Sequence, residues 1–335
     1  MNILVTGGAG YIGSHTVIKL IEEGHLVVIY DNFYNSYESI ADRVKKITGI
    51  KPMVIAGDIC DLNKIVEVIA KFKIDAVMHF AGLKSVAESS VEPLKYYLNN
   101  VYGTMVLLDA MRISEVYTLV FSSSATVYGS PHYLPYDENH PICPINPYGQ
   151  TKLAVENILK DLASSSENWR IISLRYFNPV GAHESALIGE MPKGTPNNLM
   201  PCLLRVASKE LPYLQVFGND YPTKDGTAVR DYIHVIDLAT GHIKALDYLK
   251  QHKGYDCFNL GTGQPYSVLE VVKTFEAINE IEIPLEIGPK RSGDLPEYFA
   301  TSDKAKNLML WQPELSLIQM CKTAWSWKKN LNQIL

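Results

Sequence analysis

The chain has 335 residues, of which 47% are hydrophobic and 20% charged, with a net charge of −5. That length allows one large or two medium domains and a sizeable core, and the composition is that of a soluble globular protein. The negative balance offers no basic field for nucleic acid or an anionic membrane, and no apolar run reaches the ~18 residues of a membrane span.

Residues 2–6 (Asn-Ile-Leu-Val-Thr) read as a buried strand with no signal peptide ahead of it, so a cytoplasmic protein is expected. Cys60, Cys143, Cys202, Cys257 and Cys321 are scattered with no C-x-x-C pair. Free thiols are expected, and no metal. The first strand runs into Gly7-Gly8-Ala9-Gly10-Tyr11-Ile12-Gly13 and an amphipathic stretch that breaks at Gly24. The glycines satisfy both G-x-x-G-x-x-G and G-x-G-x-x-G. They permit a tight turn and let the backbone approach a pyrophosphate at a helix N-terminus. A second strand, 26–30, ends at Asp31, 18 positions after Gly13. A carboxylate there accepts hydrogen bonds from the adenine ribose and repels a 2′-phosphate, which favours NAD over NADP.

The alternation continues. Strand 53–56 ends in Gly57-Asp58-Ile59, where Asp58 is placed to meet the adenine edge. Helix 61–72 leads to strand 76–80 and Ala81-Gly82-Leu83-Lys84. A long helix over 93–113 precedes strand 117–121, which enters Ser122-Ser123-Ser124. His79, in an apolar strand, reads as a buried, hydrogen-bonded side chain rather than a catalytic one. Asn99 either contacts the cofactor or is a polar spot beside an exposed Asn100. A helix opening at 147 and a strand over 171–175 complete the set. Such alternation predicts an α/β fold with a doubly wound parallel sheet and right-handed crossovers. Residues 7–13, Asp31, Asp58, 80–84, 122–124 and Phe177-Asn178 all follow strand ends and should crowd around one cofactor.

The heptapeptide Asn146-Pro147-Tyr148-Gly149-Gln150-Thr151-Lys152 opens that helix. Asn146 is a good N-cap, and Pro147 suits the first helical position. Tyr148 and Lys152 lie on one face. A free tyrosine titrates near ~10 and is a poor base at neutral pH. An ammonium alongside, and the positive end of the helix dipole, favour the phenolate and would make it a base for a sugar or alcohol hydroxyl.

The glycine turn, Tyr148/Lys152 and the serine-rich strand end together resemble the extended short-chain dehydrogenase/reductases. Finer stretches are similar to the UDP-glucose 4-epimerases among them, from residue 2 to about 326. These are Val5-Thr6-Gly7-Gly8-Ala9-Gly10-Tyr11-Ile12-Gly13-Ser14-His15, Asp31-Asn32, His79-Phe80-Ala81-Gly82-Leu83-Lys84, Ser122-Ser123-Ser124-Ala125-Thr126-Val127-Tyr128-Gly129 and Leu174-Arg175-Tyr176-Phe177-Asn178-Pro179-Val180-Gly181-Ala182. The resemblance implies reversible epimerisation at sugar C4 between UDP-galactose and UDP-glucose, with tightly bound NAD. It implies Tyr148 as base, assisted by Lys152 and Ser124. The cofactor would be held by Gly7, Gly10, Tyr11, Ile12, Gly13, Asp31, Asn32, Phe33, Asn35, Ser36, Asp58, Ile59, Phe80, Ala81, Gly82, Lys84, Asn99, Ser122, Tyr148, Lys152 and Phe177.

After Gly181 the strict alternation stops, and Met191-Pro192-Lys193-Gly194-Thr195-Pro196-Asn197-Asn198-Leu199 has loop chemistry. Residues 1–180 read as a Rossmann-like NAD domain. Residues 181–335 read as a smaller α/β substrate domain; 230–260 has helix-then-strand character, and the resemblance implies that it returns to pack on the first. A nucleotide-sugar diphosphate suits arginine forks. By resemblance Arg230 and Arg291 contact it, Asp294 takes the uridine ribose, and Phe217, after Gln215 and Val216, stacks uracil. Asn178, Asn198 and Leu199 match sugar and phosphate contacts, with Ser124 beside them. The resemblance also implies that Tyr298 lies next to the sugar C2 substituent, and a homodimer through helices 93–113 and 147–162. The alternatives are a nucleotide-sugar 4,6-dehydratase, a UDP-glucuronate decarboxylase, or a non-catalytic NAD-sensing regulator. A dehydratase needs a carboxylate just after the serine, where Ala125-Thr126-Val127 stands. A sensor would not need Ser124, Tyr148 and Lys152 together.

Overall fold

The computed structural model of the chain describes residues 1–194, 196, 198–291 and 293–334. Thr195 and Asn197 of the loop quoted above, and Ser292, which follows Arg291, lie outside the described residues. The order begins β1 (Asn2–Thr6), α1 (Tyr11–Glu22), β2 (Leu26–Asp31), α2 (Ile40–Thr48), β3 (Met53–Ala56), α3 (Leu62–Phe72), β4 (Ala76–His79) and α4 (Val86–Val91). The long helix expected over 93–113 forms in three pieces: α5 (Pro93–Tyr96), a π-helical stretch Tyr97–Tyr102, and α6 (Gly103–Ile113). Then come β5 (Thr118–Ser124), α7 (Pro147–Ser165), β6 (Arg170–Tyr176), β7 (Asn178–Val180), α8 (Leu199–Ala207), β8 (Leu214–Phe217), β9 (Val229–His234), α9 (Val235–Leu249) and β10 (Gly254–Leu260). The chain ends with β11 (Pro265–Ser267), α10 (Val268–Asn279), β12 (Leu285–Gly288), β13 (Glu297–Tyr298), α11 (Asp303–Leu308) and α12 (Leu317–Ile334).

Seven parallel strands form the main sheet in the order β10-β6-β5-β4-β1-β2-β3. Strand order reverses between β1 and β4. Chains leave those two strand ends in opposite directions, and the gap between them is where ligands sit in such sheets. The inner strands β1, β2, β4, β5 and β6 are short and almost wholly buried, as parallel strands covered by helices must be, while the edge strands β3 and β10 are partly exposed. One core layer joins Val17, Ile18 and Ile21 of α1 to Leu238 and Leu246 of α9. The other joins α3, α6 and α7 through Ile65, Leu107, Val155 and Leu159.

Residues 229–234 are a strand, not the start of a helix. β9 pairs with β7 and β13 in parallel and with β11 antiparallel, so it founds a smaller sheet. On the face of Val229, Asp231 and Ile233 a buried carboxylate interrupts the apolar pattern, so no alternation marks the strand. Beyond it, β8 and β12 pair separately, and α8, α10 and α12 cover a third core around Leu203, Phe275 and Met320. No helix among the described residues is long and apolar enough to cross a membrane.

Candidate active site

A cavity of about 1610 Å³ opens along the carboxyl ends of the main-sheet strands and continues into the smaller sheet. That exceeds the volume of a single drug-sized pocket and leaves room for two ligands side by side. At one end the turn from β1 into α1 makes a close cradle. Gly7 has φ +68, and a Cβ there would lie 2.6 Å from the Ala81 amide nitrogen. On Gly13 a Cβ would lie 2.5 Å from the Gly7 carbonyl oxygen. Gly10 is the N-cap of α1 and no side chain caps the helix, so its first N–H groups face the cavity as anion donors. Asp31, at the end of β2, is pinned by Ala9 N (3.0 Å), Phe33 N (2.9 Å) and the Ser36 hydroxyl (2.8 Å). Asp58 accepts from Cys60 N, which holds its carboxyl below the usual range, and from Asn32 Nδ2. A dinucleotide with a pyrophosphate and a free 2′-hydroxyl fits this cradle and this carboxylate.

Tyr148, Lys152 and Ser124 line the middle of the same cavity. Asn146 Oδ1 accepts from Gly149 N at 2.8 Å, and Pro147 takes the first helical position, so α7 starts where the sequence predicts. Lys152 Nζ donates to the Ser122 carbonyl at 2.6 Å and lies 5.9 Å from the centre of the Tyr148 ring. Ser124 Oγ accepts from Thr126 N and Thr126 Oγ1, which leaves its own proton to donate. The expected lowering of the Tyr148 pKa is not what the chain's own groups produce. Burial pushes the hydroxyl up to about 12, opposed by hydrogen bonding from Ser124. Lys152 is itself pulled down to about 8 by burial, against the raising influence of Glu156. Burial is the dominant cause for both side chains, and Lys152 directs one of its three ammonium protons to the Ser122 carbonyl.

At the far end, Arg230 Nη2 donates to Asp294 Oδ1 at 2.9 Å, and its Nη1 donates to the Val229 and Leu295 carbonyls. The Arg291 guanidinium lies 3.8 Å from the centre of the Phe217 ring. Tyr298 is packed between Tyr136 (5.0 Å) and Phe177 (5.3 Å), and its buried hydroxyl has no hydrogen-bond partner among the described residues. Asn178, Asn198, Leu199, Gln215 and Val216 complete this end.

Every predicted site residue except Phe33 lines one cavity, and two further residues stand differently from expectation. Phe33 does not line it: with φ +56, its ring packs against the main core, and its carbonyl accepts from Lys193 Nζ. Lys84 reaches the rim but is paired with Glu190 at 2.8 Å. Asn100 is buried, not exposed: its side chain bonds both backbone groups of Leu83 and the Thr151 hydroxyl, while Asn99 donates to it. Asn100 stands four residues after the buried Tyr96 and four before the buried Thr104, so helical spacing puts it on the inward face. His79 is buried and hydrogen-bonded to Thr6 and Thr104. Glu190 and Lys193, which tie the loop before α8 to Lys84 and Asn35, carry no sequence signal in a Gly/Pro-rich segment.

A doubly wound sheet with a glycine cradle and a Ser–Tyr–Lys set at its strand ends defines a nicotinamide-dependent short-chain dehydrogenase/reductase. Residues 4–324 match the GDP-mannose 4,6 dehydratase family. The chain is 51% identical over 330 residues to a UDP-glucose 4-epimerase of Bacillus subtilis (strain 168), covering 98% of this chain and 97% of that protein. The crystal structure of UDP-glucose-4-epimerase from Stenotrophomonas maltophila, with bound NAD and formylated UDP-arabinopyranose, superposes with a TM-score of 0.98 at 48% identity, covering 100% of both chains. That of the Bifidobacterium longum UDP-glucose 4-epimerase, in complex with NAD+ and UDP, gives 0.95 at 47% identity over 99% of each. The chain belongs to the UDP-glucose 4-epimerase family.

Proposed function

We propose that this chain is an NAD-dependent isomerase that interconverts UDP-galactose and UDP-glucose by reversible epimerisation at C4, through a 4-keto sugar. The observation that carries this reading is the meeting of Tyr148, Lys152 and Ser124 in one cavity that runs from the glycine cradle to Arg230 and Arg291. When bound, NAD supplies a reversible hydride acceptor for C4, so the reaction has no net redox change. Gly7, Gly10, Gly13, Asp31 and Asp58 would hold it. Tyr148 takes the O4 proton and returns it, and Ser124 donates a hydrogen bond to the same oxygen. Lys152, as ammonium, favours the phenolate. Burial works against the phenolate, and the positive charge of an oxidised nicotinamide would add to that of Lys152 in favouring it.

Arg230 and Arg291 suit the diphosphate, with Asp294 for the ribose and Phe217 for uracil. On this reading, substrate exchanges the Arg230–Asp294 contact for phosphate and ribose, and displaces Arg291 from the Phe217 ring. In the division of labour, residues 1–180 with α9 and β10 serve the dinucleotide, and the rest of 181–335, Arg230 on β9 included, serves the nucleotide sugar. A 4,6-dehydration is disfavoured because Ala125, Thr126 and Val127 bring no carboxylate beside Ser124. The free cysteines suit a cytoplasmic protein. A homodimer is supported by Leu94, Leu98, Tyr102 and Met105, which are 77%, 62%, 52% and 49% exposed at helical spacing.

The test is direct. Purified protein given UDP-galactose and no added cofactor should form UDP-glucose, and denaturing it should release NAD or NADH. Release of no nicotinamide nucleotide, with activity that tracks added NADP, would overturn the role given to Asp31.

A further inference from the structure

Beneath the Tyr148–Lys152 pair lies a charge pair that the reaction does not use. Glu156, one turn beyond Lys152 on α7, and Arg175 on β6 have side chains 0% and 1% exposed. Arg175 Nε donates to Glu156 Oε1 at 3.0 Å and Nη2 to Oε2 at 2.6 Å. Arg175 Nη1 donates to the Tyr128 hydroxyl, which in turn donates to Asn259 Oδ1 on β10 at 2.6 Å. A buried pair of charges is a weak device for stability, since apolar residues of the same volume often serve as well. Its geometry here has another consequence.

The same carboxylate holds a third partner. Ser123 Oγ donates to Glu156 Oε1 at 2.6 Å, and Ser123 immediately precedes Ser124. One residue earlier, the Ser122 carbonyl accepts from Lys152. The end of β5 is thus stapled to α7 at two successive residues, and α7 is the helix that carries Tyr148. Arg175, Tyr128 and Asn259 brace the carboxylate from β6, the segment after β5, and β10.

We propose that Glu156 is a positioning residue: braced by Arg175, it fixes Ser123 and so holds the Ser124 hydroxyl in register with Tyr148. The inference rests on the role given above to Ser124. Catalytic hydrogen bonds tolerate little displacement, and a shift of about 1 Å can cost ~10²-fold in rate. Loss of one staple of two is expected to cost less.

Glu156→Ala would strand Arg175 and could unfold the protein, so the test uses Ser123→Ala. That change leaves both Arg175 bonds to Glu156 in place. Ser123→Ala, Ser124→Ala and the double variant are assayed as holoenzymes with UDP-galactose. Ser123→Ala should lower kcat about tenfold, with KM within twofold of the parent. In the Ser124→Ala background the same change should alter kcat less than twofold, because there is no longer a hydroxyl to misplace. A Ser123→Ala kcat within twofold of the parent overturns the inference. So does a loss that recurs in full in the Ser124→Ala background, which marks a general structural effect. A native kcat in Ser124→Ala alone would instead overturn the role of Ser124 itself.

Discussion

Tyr298→Cys should widen the range of sugars that this chain accepts. The tyrosine ends β13, is 9% exposed, and stands between the rings of Tyr136 and Phe177 at 5.0 and 5.3 Å. With the proposed role of Tyr298 beside the sugar C2, a bulkier substituent would find no slack, because two aromatic neighbours block the ring's retreat. Forcing extra volume into a packed site costs about 1–3 kcal/mol. At about 1.4 kcal/mol per factor of ten, that is roughly a 5- to 150-fold penalty on UDP-N-acetylglucosamine relative to UDP-galactose. Removing the ring should recover most of it. The substitution forfeits two aromatic contacts of about 0.5–1.5 kcal/mol each, so the thermal midpoint should fall by a few degrees. The assay is kcat/KM for both sugars before and after the change. Efficient turnover of UDP-N-acetylglucosamine by the parent, or an unshifted ratio in Tyr298→Cys, would refute the reasoning.

Tyr148→Phe should lose a factor of about 10² to 10⁴ in kcat while retaining its nucleotide, and near-native turnover would remove Tyr148 as the base. Burial pulls Lys152 down to about 8, so its ammonium is lost as pH rises. The parent kcat should therefore decline above about pH 8, and a profile flat to pH 10 would contradict this. His15 and His79 are pulled down to about 3, and His234 and His242 to about 4, all by burial. The unfolded chain takes up protons below the ordinary histidine range near ~6.5 while the folded chain does not. Stability is therefore full above that range and is lost as pH falls below it: the thermal midpoint should drop between pH 7 and pH 5, and an unchanged midpoint would refute it.

The parts of the fold that depend on neighbours in sequence were legible. A strand, a glycine turn and a helix start are local, as are the Asn146 cap and the Pro147 position. Strand alternation sufficed to bring Asp31, Asp58, Ser124 and Phe177 toward one sheet edge. What could not be read depends on distant partners. Arg230 and Asp294 are 64 residues apart, and only the pairing of β9 with β13 brings them together. Glu156 and Arg175 look like solvated charges in a linear reading. Only the close packing of α7 on β5 and β6 buries them. Tyr148 shows the same limit in its energetics. The Lys152 spacing predicts a lowered pKa, but the depth of the pocket, which sequence does not carry, reverses the sign. Asn100 was legible in principle: it lies on the same helical face as the buried Tyr96 and Thr104.

The proposed chemistry requires hydrogen at C4 to leave and return within one site. UDP-galactose carrying deuterium at C4, converted in ordinary water without added cofactor, tests that most directly. The UDP-glucose formed should keep its deuterium at C4. Loss of the label to solvent, or its appearance at another carbon, would contradict a hydride held and returned in the cavity.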